Sequence, residues 1–184
     1  MNEALGAVCA GLRERFPEHV SEPEEAFGEV SIRVTREGIV DVCTVLRDRG
    51  PFEMLSDVSA VDFLGVAPAE DRFLIAYHLT SLARSLRLRL RVFVPEGDEH
   101  VSTVTGVWET ANWHEREIYD FFGIRFDGHP DLRRILMPDD WEGHPQRKDY
   151  PLGGTKVEFK GALVPPPDLR RQPTTTTGYP GRIA

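Results

Sequence analysis

Leu86 to Val94 carries the clearest alternation in the chain. Leu86, Leu88, Leu90, Val92 and Val94 fall on one side, and Arg87, Arg89, Arg91 and Phe93 on the other. This period of two predicts a half-buried strand. Arg72 to Leu79 is apolar on both faces (Phe73, Leu74, Ile75, Ala76, Tyr77), which suits a strand inside a sheet. Phe52 to Leu64 reads as another strand, in which Asp57 and Asp62 must be paired or solvated. Glu29 to Thr35 alternates through Val30, Ile32 and Val34. Val20 to Phe27 is acidic and ambiguous, with a short strand as one option.

Two segments have helical spacing. Leu5 to Phe16 places Leu5, Val8, Cys9, Leu12 and Phe16 on one face and stops at Pro17. Glu37 to Arg49 places Ile39, Val40, Cys43, Val45 and Leu46 inward and stops at Gly50-Pro51. Ser102 is a candidate cap for a short helix through Val107-Trp108. The order helix, two strands, helix, three strands predicts an α+β, two-layer domain with a mixed β-sheet packed on helices. No internal repeat is visible.

A third helix is expected at 113–122. Asn112 is placed to cap it and Glu115 to act as the capping-box carboxylate. Gly123 ends it. Ile118, Tyr119, Phe121 and Phe122 form its apolar face, and Arg116, Glu117 and Asp120 the other side. From Gly123 to Leu152 the chain is highly charged between prolines and glycines, with little period of its own. A loop of this length is functional or docked onto something else. The expected division is a core over 1–122, a docking loop over 123–152 and an extended or disordered tail over 153–184, rich in Pro, Gly and Thr.

Composition narrows the function. The chain has 184 residues, 40% hydrophobic and 28% charged, with net charge −8. That balance fits a soluble globular protein and argues against nucleic acid as the main partner. No apolar run approaches the roughly 20 residues that span a bilayer, and the opening residues lack the pattern of a secretory signal. A cytoplasmic setting is expected, with membrane contact only through partners. Cys9 and Cys43 lie on apolar helical faces as buried thiols; two cysteines cannot ligate an iron–sulfur cluster alone.

Catalytic motifs are missing from the sequence. His114, His129 and His144 have no metal-ligand spacing, and two of them precede proline. There is no G-x-G-x-x-G, P-loop or G-x-S-x-G. Glu115, Glu117 and Asp120 are better read as scaffold carboxylates among Arg116, Arg133, Arg134, Arg147 and Lys148 than as an acid–base pair. The arginines at 87, 89 and 91 form either a solvated face or a basic stripe for an acidic neighbour.

The ordered set Glu115-Arg116-Glu117, Asp120, Gly123-Ile124, Gly128-His129-Pro130-Asp131-Leu132-Arg133-Arg134-Ile135-Leu136, Gly143-His144-Pro145 and Arg147-Lys148-Asp149-Tyr150-Pro151-Leu152 resembles one family. It is the thirty-kilodalton subunit, or C subunit, of the NADH–quinone oxidoreductases of respiratory complex I. The resemblance implies the same α+β fold. It also implies a non-redox structural subunit of the hydrophilic arm of a proton-pumping translocase, peripheral on the cytoplasmic side of the membrane. Flavin, iron–sulfur clusters and quinone would belong to partner subunits, with no cofactor, metal or catalytic residue in this chain. The implied partners are the large quinone-site subunit and others of the connecting module. Glu115, Arg116, Glu117, Asp120, His129, Arg133, Arg134, Arg147, Lys148, Asp149 and Tyr150 would form the docking motif, with His129, Arg133, Arg134 and residues 147–150 presented to the partner. Asp62 would fall at an aspartate-containing turn, and the tail would lie as an arm on a neighbour. One alternative is the equivalent subunit of a membrane-bound hydrogenase or a ferredoxin- or F420-linked quinone reductase. A remote one is a stand-alone metal-dependent hydrolase.

Overall fold

The computed structural model describes residues 2–151, and the expectations for the tail lie outside them. The first helix, α1, spans Glu3–Arg15 and is capped by Asn2, whose side-chain oxygen accepts from the Ala4 N–H at 3.0 Å. A hairpin of β1 (Glu24–Ala26) and β2 (Glu29–Arg33) follows, then α2 (Ile39–Asp48). Three long strands come next: β3 (Met54–Asp62), β4 (Phe73–Ser81) and β5 (Leu86–Val94). They join β1 and β2 in one sheet of order β1-β2-β5-β4-β3, antiparallel except for the β2–β5 pair.

The strands with the strongest patterns lie inside this sheet. Alternate residues Ile75, Tyr77, Leu79, Leu88, Leu90 and Val92 join Leu5, Cys9 and Leu12 of α1 and Ile39, Val42, Cys43 and Leu46 of α2 in one buried cluster. Both cysteines are free and buried there. The arginine side of β5 faces away from this cluster. Arg89 pairs with Glu29, Arg91 with Glu24 at 2.7 Å, and Arg33 on neighbouring β2 with Asp71 at 2.6 Å. Neither sequence reading of that side holds alone: it is a partly covered set of ion pairs, with Arg87 left exposed.

Two elements are too short to show a period. β6 (His100–Ser102) and β7 (Arg125–Asp127) pair in parallel, His100 opposite Arg125. Parallel strands need a long crossover, and α3 (Ala111–Phe122) supplies it. Ser102 therefore ends a strand; turns, and no helix, occupy 105–107. No helix among the described residues is long and apolar enough to cross a membrane.

Candidate functional site: the anchored motif loop

α3 starts two residues before the expected point. Its N-cap is Thr110, which makes no side-chain capping bond. Asn112 and Glu115 therefore form no capping box. The reason is burial: Glu115 points into the domain, where its carboxylate accepts from the Val104 N–H at 2.8 Å and from the Thr103 hydroxyl. The crossover geometry explains this, because α3 returns directly over the turn that follows β6. Gly123 ends the helix as expected, with φ 73° and its N–H on the Tyr119 carbonyl at 2.9 Å. It is required twice over, since a Cβ there would sit 2.5 Å from the His144 ring.

Asp120 is also buried, contrary to its expected place on the polar side of the helix. The loop itself covers it. Asp120 Oδ2 accepts from three consecutive backbone N–H groups, Ile135, Leu136 and Met137, at 3.1, 2.8 and 2.9 Å. Its Oδ1 takes Arg134 Nη1 at 2.8 Å. Its carbonyl oxygen receives Arg134 Nη1 at 3.2 Å and His144 Nδ1 at 3.0 Å. Burial alone would raise the Asp120 pKa, but these donors outweigh it and hold the carboxyl below its ordinary value.

A second anchor sits at the end of the β3–β4 hairpin. Asp62 and Arg72 are almost fully buried (side chains 1% and 3% exposed) and face each other with both Asp62 oxygens 3.2 Å from the guanidinium. The loop ties into this pair twice. The Lys148 N–H donates to Asp62 Oδ2 at 2.8 Å, and Asp149 Oδ2 accepts from Arg72 Nη2 at 2.8 Å. Glu96 completes the set at 2.5 Å from Arg72 Nη1. Asp62 also accepts from the Leu64 N–H at 2.9 Å, at the turn that follows β3. Burial would raise the Asp62 carboxyl; Arg72 and the two N–H donors together bring it below its ordinary value. Arg147 donates to the Phe122 carbonyl at 2.6 Å, pairs with Glu99 at 3.3 Å, and lies over the Phe73 ring at 5.0 Å.

His129 faces inward, which corrects its assignment as a presented residue. Its side chain is fully covered, with Nε2 3.3 Å from the Asn112 carbonyl and 3.9 Å from Glu115 Oε2, while Nδ1 accepts from the Asp131 N–H at 3.0 Å. That pattern fixes the neutral Nε2–H tautomer, and burial lowers the pKa of the ring. Arg134 and Arg147 are likewise used by their own domain, because their guanidinium groups satisfy carbonyls that the helix end leaves open. Tyr150 donates to the Glu142 carbonyl at 3.3 Å. Arg116 reaches the carbonyls of Arg133 and Arg134 at 3.1 and 3.4 Å and lies 5.2 Å over the Trp113 ring. The outward groups include Trp113, Glu117, Arg133, Leu136 and the Lys148 side chain, with the acidic Asp131, Asp139 and Glu142 exposed among them. The Arg133 side chain is 72% exposed, and its guanidinium bonds among the described residues to Asp131, two residues away. Among the described residues, no three His, Cys, Asp or Glu side chains form a group that could hold a metal ion.

The order of the motif residues matches a known family across most of the chain. Residues 32–156 match the family described as respiratory-chain NADH dehydrogenase, 30 Kd subunit. The chain belongs to that family. It is 53% identical over 170 residues to the C subunit of the NADH-quinone oxidoreductase of Salinispora arenicola, covering 89% of this chain and 68% of that one. It is 48% identical over 153 residues to the C subunit of the Geobacter sulfurreducens enzyme, covering 83% and 93% respectively. Among solved structures it resembles the trypsin-resistant fragment 1–134 of Nqo5, with TM-score 0.61, 34% identity, and coverage of 70% of this chain and 99% of that one. A chain of an archaeal membrane-bound sulfane sulfur reductase has the same fold, with TM-score 0.69 and 23% identity over 82% of this chain and 87% of that one.

Within this 30 kDa family member, sequence reasoning missed Arg72, Glu96, Glu99 and Thr103 as parts of the site. The signal available was Asp62, a charge in an apolar strand that needs a partner; the hairpin brings Arg72 to it.

Glu115 has a measurable signature. Burial raises its carboxyl from an ordinary 4.5 to about 7, against the smaller opposing effect of the Thr103 and Val104 donors. Tyr77, buried nearby with a hydroxyl that has no hydrogen-bond partner among the described residues, is raised too. The folded chain thus holds the Glu115 proton more tightly than the unfolded chain. This contribution to stability is full below pH 4.5, falls as pH rises through 7, and stays lost above. Glu115→Gln keeps the neutral shape and is expected to be more stable than the parent near pH 8, by up to about 3 kcal/mol, and equal to it near pH 4. His129, 3.9 Å from Glu115, is coupled to it, but His129 and His144 are both lowered, mainly by burial, and are neutral near pH 8 in both proteins, so the offset measured there reports Glu115. An equal offset at both pH values would show that Glu115 is ionised throughout.

Proposed function

We propose that this chain is a non-redox structural subunit of the hydrophilic arm of a proton-pumping NADH–quinone oxidoreductase. It docks on the large quinone-site subunit in the connecting module, peripheral on the cytoplasmic side of the membrane. Flavin, iron–sulfur clusters and quinone belong to the neighbours in this reading, and the chain's own role is mechanical. Family membership supports it, as do relatives about half identical that are named as the C subunit of such an enzyme.

The observation that carries the docking role is the way the loop is held. Its inward side chains are consumed by Asp120, Asp62 and Arg72, which leaves a pre-set outer surface that includes Trp113, Glu117, Arg133, Leu136 and Lys148 beside the acidic Asp131, Asp139 and Glu142. Order already present before contact lowers the entropic cost of binding. A mix of exposed aromatic, aliphatic and arginine side chains is what interface anchors are made of. The equivalent arms of other membrane complexes are a rival only at the level of fold.

Arg133→Ala with Leu136→Asp separates docking from folding. Both side chains are exposed, so the unfolding free energy is expected to stay within about 0.5 kcal/mol of the parent. Recovery of the variant with the detergent-solubilised complex is expected to fall well below the parent's. Normal recovery would remove this surface from the interface. Arg147 is a poor choice for such a test, because its bonds to Phe122 and Glu99 make it part of the loop's own support.

A further inference from the structure

The motif loop is tied to the end of the sheet where β3 finishes and β4 begins. The opposite end carries the β1–β2 and β4–β5 turns and the start of β3, and it is built differently. Phe27, at the tip of the first hairpin, is fully exposed with φ 54°, beside Gly28 at 80°. Residues other than Gly, Asn and Asp rarely occupy that region, and nothing among the described residues covers this ring. Leu82, in the second turn, is also largely exposed, as is part of Met54. Next to Leu82 stand Arg84 and Arg87, both exposed, and neither guanidinium has a hydrogen-bond or ion-pair partner among the described residues. The other arginines of this strand are paired. Two grooves of about 610 and 470 Å³ meet here, both bordered by Val30, Thr80, Leu82 and Arg87.

We infer that this end of the sheet is a second docking surface, which takes a neighbouring protein offering an apolar pocket to Phe27 and carboxylates to Arg84 and Arg87. It rests on the assembly reading only in expecting that neighbour within the same complex. Charge selects the occupant. The chain's own segment 152–184 has Lys156, Lys160, Arg170, Arg171 and Arg182 against Glu158 and Asp168, so its sign is wrong. A second copy meeting this one through the same end would bring two more unpartnered arginines, while Glu29 is already held by Arg89 and Glu53 by the Leu82 N–H. An anionic bilayer is held by clusters of about four to eight basic residues, more than the two here, and cannot fill grooves; a folded protein can offer carboxylates and an apolar pocket together.

The test uses the full chain in cells that make the whole complex, with photoreactive benzoylphenylalanine in place of Phe27, Leu82 or, as a control on the motif loop, Leu136. After irradiation the complex is solubilised and adducts are identified by peptide mass spectrometry. Positions 27 and 82 are expected to join one neighbouring polypeptide at a segment rich in Asp or Glu. Adding Arg84→Glu with Arg87→Glu is expected to lower that adduct about tenfold and to leave the Leu136 adduct unchanged. The inference is overturned if position 136 forms its adduct while 27 and 82 form none, or label only lipid or a second copy. It is equally overturned if the adduct ignores the charge reversal. No adduct from any of the three positions would sink the docking of the motif loop as well.

Discussion

Asp120→Ala is expected to be the most damaging single change in the motif. It removes the acceptor for three backbone N–H groups and the partner of Arg134 at once. Stranding a buried charge by deleting its partner destabilises by about 3–5 kcal/mol, and each orphaned buried donor adds about 1–3 kcal/mol unless water reaches it. The chain has a way to limit the damage: residues 133–147 can lift off α3 and hydrate. The expected outcome is therefore a split result. Denaturant unfolding shows a loss of about 3–5 kcal/mol at most, while amide exchange shows the loop open and the central strands β4 and β5 still protected. Asp120→Asn gives a smaller loss of the same kind. Its one oxygen still serves the backbone donors, but its amide N–H₂ meets the Arg134 guanidinium donor to donor. A stable Asp120→Ala variant with a closed loop would show that the carboxylate is incidental.

Arg72→Met is expected to rank next. Asp62 is left buried without its cation and keeps only the N–H groups of Leu64 and Lys148. A loss of about 3–5 kcal/mol at neutral pH is expected from the broken buried pair. The pH dependence makes the cause identifiable. In the parent, Asp62 has a depressed pKa, so its contribution is present above 3.8 and is lost as pH falls through the folded value. Without Arg72, burial dominates and the carboxyl moves upward, so protonation relieves the variant in mild acid. The difference from the parent is thus expected to shrink as pH falls from 7 towards 4. Adding Asp62→Asn is expected to restore part of the loss at neutral pH. A pH-independent defect would instead assign Arg72 a packing role, through its contact with the Phe73 ring at 4.8 Å.

Much of the fold was legible in the sequence, for reasons that differ between elements. β4 and β5 are long and lie inside the sheet, so their pattern is set by burial over nine residues each. The α+β layer arrangement follows from them and the two helices that cover them. β6 and β7 have three residues each, too few for any period, and exist through their pairing across α3. The candidate site was legible as a motif and not as a geometry. Glu115 obeyed the local rule for a capping box, yet the return of α3 over Thr103 and Val104 gave its carboxylate different donors. Asp120 sat on the polar side of the helix by count, and only the later loop buried it. Arg134, His129 and Arg147 could not be told from presented side chains, because local sequence does not reveal whether a charge meets its own chain or another. Membership of the 30 kDa family fixed the identity of the motif and left that direction open.

In the proposed role, this domain folds the motif loop by itself and offers a finished surface to its partner. Hydrogen exchange at the amides of Ile135, Leu136 and Met137 in the isolated chain tests this most directly. Strong protection is expected there before any partner is added, and its loss in Asp120→Ala. Fast exchange in the parent, with protection gained only inside the assembled complex, would contradict it.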